Sequence, residues 1–277
     1  MNPKLAKFLA EVPDLDENGT FTGPEPAAME KVFEAILAGG PSQVVGLIDM
    51  LVPVDDGKDY RVRYLLHGLA THLCRTRSKQ RAMFTKTLAS QIGGDRPKPI
   101  QGFLIRQLQV VGGSEVAEVL GAALLDEALG ADAANALIAI GHVAVEQLRR
   151  ALPKARGKSR LNVVQALGVL KDRPSAGALK QAAGDADREV RLAAVWGLAN
   201  ICDPGAVGVL IKAAGAEAGH ERIGATKACL LLAENLAAAG RKPDAKRLYT
   251  HLRDTRKGDD EQYVREAAER GLAAVIG

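Results

Sequence analysis

The sequence predicts an all-α protein, a right-handed α-α superhelical solenoid of about seven helical hairpins preceded by an N-terminal helical cap. Three observations support this fold class. Aromatic residues make up only 4% of the 277 residues, which is few for a sheet protein. An apolar stripe with helical spacing recurs roughly every thirty to forty residues. Most copies of the stripe are followed by glycine or by an Asp-Pro turn, features that stop one helix and start another.

The first forty residues differ from the rest of the chain. The segments MNPKLAKFLA and EPAAMEKVFEAILAGG each predict a helix, and Pro26 suits the first turn of the second. A solenoid needs a terminal element that covers the exposed core of its first repeat. The sequence therefore predicts a cap over residues 1–40 and one continuous repeat array over residues 41–277.

The clearest copy of the repeat runs from Asp185 to Leu210. Its apolar stripe, on one face of a helix, consists of Val190, Ala194, Leu198 and Ile201. Asp187 precedes this helix, where a carboxylate can cap free amide groups. Asp203-Pro204 then ends the helix and starts the next one. We expect the second helices of the seven hairpins to begin near residues 60, 98, 130, 159, 188, 220 and 260.

Arginine recurs at related positions of these second helices, at Arg63, Arg160, Arg191 and Arg265. The pattern resembles HEAT-type arrays, in which an arginine at this position pairs with an aspartate of an adjacent repeat, and this resemblance implies Asp59, Asp172, Asp187 and Asp260 as the candidate acids. Such a ladder would set the register between repeats, and each exposed rung would contribute about 1 kcal/mol or less. The pattern indicates a structural role.

These residues carry a resemblance to the HEAT family. The copy at 185–210 resembles the short HEAT-like repeat named after phycobilisome lyases, through Val190-Arg191, Ala193-Ala194, Leu198 and Asp203-Pro204. The segment 220–253 resembles a tetratricopeptide hairpin, with Gly240, Ala245 and Tyr249 at its small and aromatic positions. Both families are helical solenoids and chiefly binding scaffolds, so the resemblance implies a class of function without a substrate.

Composition and motifs exclude several kinds of protein. No apolar run reaches the roughly 18–20 residues of a membrane span, and the N-terminus has no signal-peptide core. Cys74, Cys202 and Cys229 lie far apart in apolar helical patterns, which predicts buried, reduced thiols and a cytoplasmic protein. His67, His72 and Cys74 have spacings that do not share a helical face, and no phosphate-binding or nucleophile motif occurs. We therefore expect no cofactor and no enzymatic activity.

The segment from Asp14 to Glu25 fits the spacing of an EF-hand calcium loop, with Asp14, Asp16, Asn18 and Glu25 as the ligands. Pro24 and Pro26 bracket Glu25, however, where the exiting helix of an EF-hand should already run. A polar, glycine-containing turn leading into a proline-started helix is the favoured interpretation.

Charge is strongly segmented along the chain. Residues 1–60 carry four basic and eleven acidic side chains, whereas residues 61–110 carry ten basic and one acidic. Residues 149–191 carry eleven basic and four acidic side chains. The candidate basic surface consists of Arg61, Arg63, Arg75, Arg77, Lys79 and Arg81. A solvated basic surface that faces carboxylates is favoured over one that neutralises nucleic-acid phosphates.

Two functions follow from these observations. The leading one is a non-enzymatic scaffold that binds a protein partner on the concave surface lined by the second helices. The alternative is a nucleic-acid-binding protein that uses 61–110 and 149–191. Some HEAT-like proteins are glycosylases for alkylated DNA bases, but no acid and aromatic set of that kind stands near the single Trp196. The name of the repeat suggests a third option, a lyase or chaperone for a cofactor-bearing protein.

Overall fold

The computed structural model describes residues 3–53, 57–76 and 78–276. Every regular element within these residues is helical, sixteen α-helices and five single turns of 3-10 helix. The chain divides into two compact units, Met1–Gln147 and Leu148–Gly277. The prediction of an all-α fold built from stacked helical hairpins is confirmed.

The helices of the first unit, in chain order, are α1 (Pro3–Ala10), α2 (Pro26–Ala38), α3 (Gly40–Ile48), α4 (Tyr60–Thr76), α5 (Arg81–Ala89), α6 (Lys98–Val111), α7 (Ala117–Ala123) and α8 (Gly130–Ile140). Helix α9 (Val145–Ala151) crosses the division between the units. The helices of the second unit are α10 (Gly157–Val169), α11 (Ala176–Ala182), α12 (Arg188–Ile201), α13 (Val207–Ala214), α14 (His220–Ala238), α15 (Lys242–Thr255) and α16 (Gln262–Ile276).

From α3 onward, the described helices form seven successive hairpins, each with a shorter first and a longer second helix. The second helices are α4, α6, α8, α10, α12, α14 and α16. Five of them begin at the predicted residue, and the other two, α10 and α16, begin two residues away. For α16 the difference has a local cause, because a 3-10 turn over Asp259–Glu261 comes before the helix.

The two N-terminal helices cover the first hairpin of the first unit. The side chain of Leu5 on α1 is buried against Gly46 of α3. If residue 46 had a Cβ atom, that atom would lie only 2.8 Å from Leu5. The ring of Phe33 on α2 covers Gly68 of α4 in the same way, and a Cβ atom at residue 68 would lie 2.3 Å from the ring. Both contacts match what a terminal cap does, although the division at residue 40 stays a prediction.

The turns between hairpins of the second unit combine two local devices. Helix α12 ends at Cys202, which has the left-handed conformation with φ 58° that glycine usually supplies. Lys171, just after α10, has the same conformation with φ 52°. An aspartate follows each of them, and the carboxylate of Asp203 accepts a hydrogen bond from the amide of Gly205 at 3.1 Å. The predicted Asp-Pro turn is therefore present and capped.

The core of the second unit lies between the first and second helices of each hairpin. Val190, Ala194, Leu198 and Ile201 are all buried, as their spacing predicts. The second helices pack side by side, α10 against α12, α12 against α14, and α14 against α16. Within the described parts of the chain, no helix combines the length and the apolar character that crossing a bilayer requires.

Candidate functional site

An exposed apolar surface lies on the second helices of the carboxy-terminal unit. Trp196 is 39% exposed on α12, on the side away from the buried stripe of that helix. Val169 at the end of α10 and Ile223 at the start of α14 are 45% and 47% exposed. We call Val169, Trp196 and Ile223 the tryptophan face. Large apolar side chains exposed on neighbouring helices are typical of contact surfaces for other molecules.

Two glycines fix the position of the indole ring. Gly168 of α10 and Gly197 of α12 face each other, and a Cβ on Gly168 would lie 2.7 Å from the Cα of Gly197. The same Cβ would lie 3.1 Å from the Cζ3 atom of Trp196. The indole therefore rests on the backbone of α10 while much of the ring stays in solvent. An aromatic side chain held in this way loses little conformational entropy when a partner covers it.

Leu192 links the tryptophan face to the next helix. It lies one helical turn before Trp196 on α12, and its Cδ2 atom would be 2.8 Å from a Cβ on Gly224 of α14. Gly224 directly follows Ile223 in the sequence. The contacts of Trp196 with Gly168 and of Leu192 with Gly224 thus join three successive second helices into one surface.

Sequence analysis did not single out this surface. The single tryptophan was considered only as part of a possible glycosylase site, and its exposure depends on how closely the neighbouring helix approaches. The available signal was glycine in the interior of both helices, Gly168 on α10 and Gly197 beside Trp196 on α12.

Three of the predicted basic residues are engaged within the first unit. The guanidinium of Arg61 pairs with Asp14. Arg63 donates to the buried Asp59 at 2.8 Å and to the carbonyl of Val52 at 3.1 Å. These two arginines tie α4 to the segments that precede it, so they have a structural function in the fold.

Arg81 is the third engaged basic residue. It donates to the carbonyl of Val111 at 2.9 Å and pairs with Glu115 at 3.1 Å. Arg75 and Lys79 are exposed, and Arg77 lies outside the described residues. The structure thus does not bring the six predicted side chains together as one free cationic cluster.

The arginine ladder is present in the second unit, with partners other than the predicted ones. Arg160 pairs with Asp185 at 2.6 Å instead of Asp172. Arg191 forms a two-point contact with Glu221, at 2.5 and 2.6 Å, instead of pairing with Asp187. In each case the acid belongs to the following repeat, so each rung joins two hairpins.

Asp187 caps α12, as its position before the helix predicts, and is not the ladder partner of Arg191. Its carboxylate accepts a hydrogen bond from the amide of Glu189 at 2.8 Å and caps the N-terminus of α12. Asp172, the acid expected for Arg160, lies at the turn after α10 and pairs with Arg149 at 2.9 Å. Spacing along one helix predicts the position of a ladder arginine, but the partner depends on the loop geometry of the next repeat.

Arg222 and Arg265 differ in their partners, an acid of the following hairpin for Arg222 and carbonyls of its own hairpin for Arg265. Arg222 pairs with Glu261 at 2.8 Å. The sequence did not predict this pair because Arg222 is the third residue of α14, whereas the ladder residue Arg191 is the fourth residue of α12. Arg265 donates to the carbonyls of Arg256 and Gly258, at 2.9 and 2.7 Å, and not to the predicted Asp260.

The ladder lowers the pKa of its carboxyl groups. The pKa of Asp185 is below its usual value because the amide of Asp187 and the guanidinium of Arg160 donate to it. The hydrogen bond from Arg191 lowers the pKa of Glu221 in the same way. These shifts are explained by rungs that hold the repeats together, and they do not indicate a catalytic acid or base.

The predicted calcium ligands are used by the loop itself. Asp16 accepts hydrogen bonds from the amides of Asn18 and Thr20, at 2.9 and 2.7 Å, while Asp14 pairs with Arg61. Glu25 is exposed and precedes α2, whose first residue is Pro26. In the described residues no three His, Cys, Asp or Glu side chains group as metal ligands would.

The three cysteines differ in exposure. Cys229 is buried, and burial raises its pKa to about 12. Cys202 is half-buried, and Cys74 is exposed. The expectation of three buried thiols is thus wrong for Cys74, because that residue lies near the end of α4, beyond the last buried leucine of the helix.

A family model for HEAT repeats matches residues 145–231 and 178–273. The second match includes the segment 220–253, whose first helix has 19 residues and thereby departs from the shorter repeats before it. No curated protein matches the chain.

Several solved structures are similar at low identity. They include human deoxyhypusine hydroxylase in complex with glycerol (18% identity, 99% of this chain and 96% of that chain covered, TM-score 0.35). The complex of CpcE and CpcF of phycocyanin lyase from Nostoc sp. PCC7120 matches at 17% identity (94% and 100% covered, TM-score 0.43). A designed armadillo repeat protein in complex with the peptide (KR)4 matches at 18% identity (97% and 99% covered, TM-score 0.30). Structural likeness at these TM-scores carries no information on partner or activity.

Proposed function

Residues 145–273 are HEAT repeats, and from this premise we propose that the carboxy-terminal unit is a non-enzymatic scaffold that binds a protein partner on its tryptophan face. Stacked hairpin repeats expose an extended face of second helices, which suits peptides and protein surfaces. The tryptophan face carries the one aromatic side chain of the second helices α10, α12 and α14, and that side chain is 39% exposed.

The observation that carries the proposal is the exposure of Trp196 on a rigid support. Tryptophan is among the residues that contribute most to the affinity of protein interfaces, especially where apolar neighbours exclude water around it. Val169 and Ile223 supply such neighbours on the flanking helices. The contact with Gly168 holds the ring in place before a partner arrives.

The polar residues beside this face suit a protein interface. Gln165 on α10 and Lys227 on α14 are exposed and lie at the helical position that corresponds to Trp196 on α12. An apolar centre with polar residues at its edge is the usual anatomy of a transient protein interface.

The test compares the wild type with one variant of the tryptophan face and one control variant, first in partner capture and then in binding affinity. Wild-type protein and the variant Trp196→Ala are used to capture proteins from the source organism, and each captured protein is then purified and its affinity measured by calorimetry. Tyr263→Ala is the matched control, because Tyr263 is 56% exposed on α16 and lies outside the tryptophan face.

We expect Trp196→Ala to weaken the purified complex at least about thirtyfold, the effect of a hot-spot residue of 2 kcal/mol. Tyr263→Ala should leave the affinity unchanged. A partner that binds both variants as tightly as the wild type would show that the tryptophan face is not the binding surface.

A further inference from the structure

A groove opens between two successive hairpins of the second unit. Its volume is about 370 Å³. It is lined by residues of α11 to α14 and the loops that follow α11 and α13, among them Lys180, Arg191, Val195, Val209, Lys212 and Ala213. This volume is at the lower end of the roughly 300–1,000 Å³ typical of small-ligand sites.

The floor of the groove is aliphatic. Val195 of α12 and Ala225 of α14 are buried at its base, where these two second helices pack together. Val209 and Ala213 of α13 form one wall. The first helices of the two hairpins, α11 and α13, do not pack closely against each other, so the space between them stays open. A short aliphatic chain fits a space of this size and polarity.

The polar residues of the lining are mostly basic, and two of the three cations are engaged. Lys180 pairs with Asp203 at 2.7 Å. Arg191 uses Nε and Nη2 on Glu221 and Nη1 on the carbonyls of Asp185 and Ala186. Glu221 is the one acidic residue of the lining. Because Arg191 neutralises its charge, Glu221 does not repel an anionic ligand in the groove.

Lys212 is the remaining cation. It is exposed at the wall formed by α13, and it has no hydrogen-bond or ion-pair partner among the described residues. A single free ammonium group beside an aliphatic pocket is complementary to a molecule with one anionic group and one apolar chain.

We infer that this groove binds an aliphatic carboxylate, with the chain against Val195, Val209 and Ala213 and the carboxylate beside Lys212. Such a group could be supplied by a free fatty acid or by the carboxy-terminal aliphatic residue of a polypeptide. The groove and the tryptophan face are neighbours, since Leu192 lines the groove one turn before Trp196. The inference is independent of the proposed partner binding.

Binding is tested by calorimetry and by amide NMR titration of the full chain with two probes. Octanoate represents the free acid, and N-acetyl-leucine represents a polypeptide carboxy-terminus. Octylammonium and N-acetyl-leucinamide are the controls, since they keep the apolar group and lack the negative charge. In the NMR titration, the amides of 183–195 and 209–225 should shift.

Three variants locate the site. Lys212→Glu reverses the free charge, and Ala213→Phe fills the space at the wall. Lys246→Glu makes the same charge change on α15, at an exposed lysine outside the lining. If Ala213→Phe disturbs folding, judged by its melting temperature, the exposed Lys212→Glu substitution still decides the question.

We expect at least one carboxylate to bind and its affinity to fall about tenfold or more in Lys212→Glu, with Lys246→Glu unaffected. The probe that binds better identifies the source, free acid or chain end. The inference is overturned if neither carboxylate binds at millimolar concentration, if the charge-altered controls bind equally well, or if Lys212→Glu and Lys246→Glu weaken binding to the same extent.

Discussion

Gly168 and Gly197 bring the helices α10 and α12 together so closely that a side chain on Gly168 would lie 2.7 Å from the Cα of Gly197. Real Cβ atoms do not approach backbone atoms to this distance, so the contact requires glycine. It also determines where Trp196 lies, since the indole covers the space beside Gly168. One close helix contact thus both packs two repeats together and supports the tryptophan face.

The variant Gly168→Ala should destabilise the protein by about 1–3 kcal/mol, since overpacking forces the two helices apart. The measurement is the free energy of unfolding in urea. Gly177→Ala is the control, because a Cβ on Gly177 of α11 meets nothing within 4 Å. That control should be neutral or stabilising, as alanine favours helix over glycine by up to about 1 kcal/mol. Equal effects of the two substitutions would contradict the close contact.

Removing one rung of the arginine ladder should lower stability and leave binding intact. For Arg191→Ala we expect a loss of about 1 kcal/mol, because the pair with Glu221 is partly exposed and exposed ion pairs contribute little. Chemical unfolding of Arg191→Ala, Glu221→Gln and the double variant gives the coupling energy directly. Arg188→Ala, which removes a more exposed pair with the adjacent Glu189, should have almost no effect. Unchanged stability of Arg191→Ala, together with lost partner binding, would overturn the structural assignment.

Arg256 should be the most sensitive charged residue of the second unit. It is 1% exposed and donates to the carbonyl of Ala214 at 2.7 Å and to the hydroxyl of Thr226 at 3.0 Å, with Glu261 at 3.4 Å. Arg256→Ala leaves the carbonyl of Ala214 and the hydroxyl of Thr226 without this donor, whereas Glu261 keeps Arg222, so we expect a loss of about 2–4 kcal/mol. Arg253→Ala is the control.

Arg253 lies in the last turn of α15, the helix that Arg256 directly follows, and it is 42% exposed and pairs with the adjacent Asp254. Its removal should change the unfolding midpoint little. If Arg256→Ala unfolded at the same denaturant concentration as Arg253→Ala, the buried contacts of Arg256 would contribute nothing to stability.

The free energy of unfolding should decrease as the pH is lowered below about 6.5, because His251 then takes up a proton more readily in the unfolded chain. Burial, with the positive charges of Arg256 and Arg222, holds the pKa of His251 below its ordinary 6.5. The unfolded chain therefore binds a proton at a higher pH than the folded protein does. The neutral histidine contributes stability above pH 6.5, and this contribution is lost as the pH falls through 6.5 towards the lower folded pKa.

The measurement is the free energy of unfolding between pH 7.5 and pH 5, for the wild type and His251→Gln. The variant should lose less stability in this interval. The carboxyl groups of Asp185 and Glu221, whose pKa values are lowered, lose their contribution only at more acidic pH, below about 4.5. Parallel curves for the two proteins would exclude His251 as the cause.

Binding to duplex DNA should be weak. Arg61, Arg63 and Arg81 already contact protein groups in the first unit, so few of the predicted cations are available to neutralise phosphates. Fluorescence anisotropy with a labelled duplex at two salt concentrations measures this. Micromolar or tighter binding that collapses when salt is raised would support the nucleic-acid alternative, and Arg75→Glu with Lys79→Glu would then locate it.

Much of the fold could be predicted because repeat proteins are stabilised by contacts between neighbours in the sequence. The stripe from Val190 to Ile201, the cap at Asp187 and the turn at Asp203-Pro204 act within one helix or one turn. Their spacing alone therefore determined the number of hairpins and the starts of the second helices to within two residues.

The candidate site depended on contacts between repeats, which spacing along one helix does not reveal. The exposure of Trp196 follows from the approach of α10 at Gly168, and the partner of Arg191 is Glu221 because the next helix begins beside it. The groove at Lys212 exists because α12 and α14 pack together while α11 and α13 stay apart. The sequence by itself thus determined the class of scaffold, through local periodicity and capping. Only the tertiary structure decided which side chains remain exposed for a ligand, since that depends on the distance between neighbouring helices.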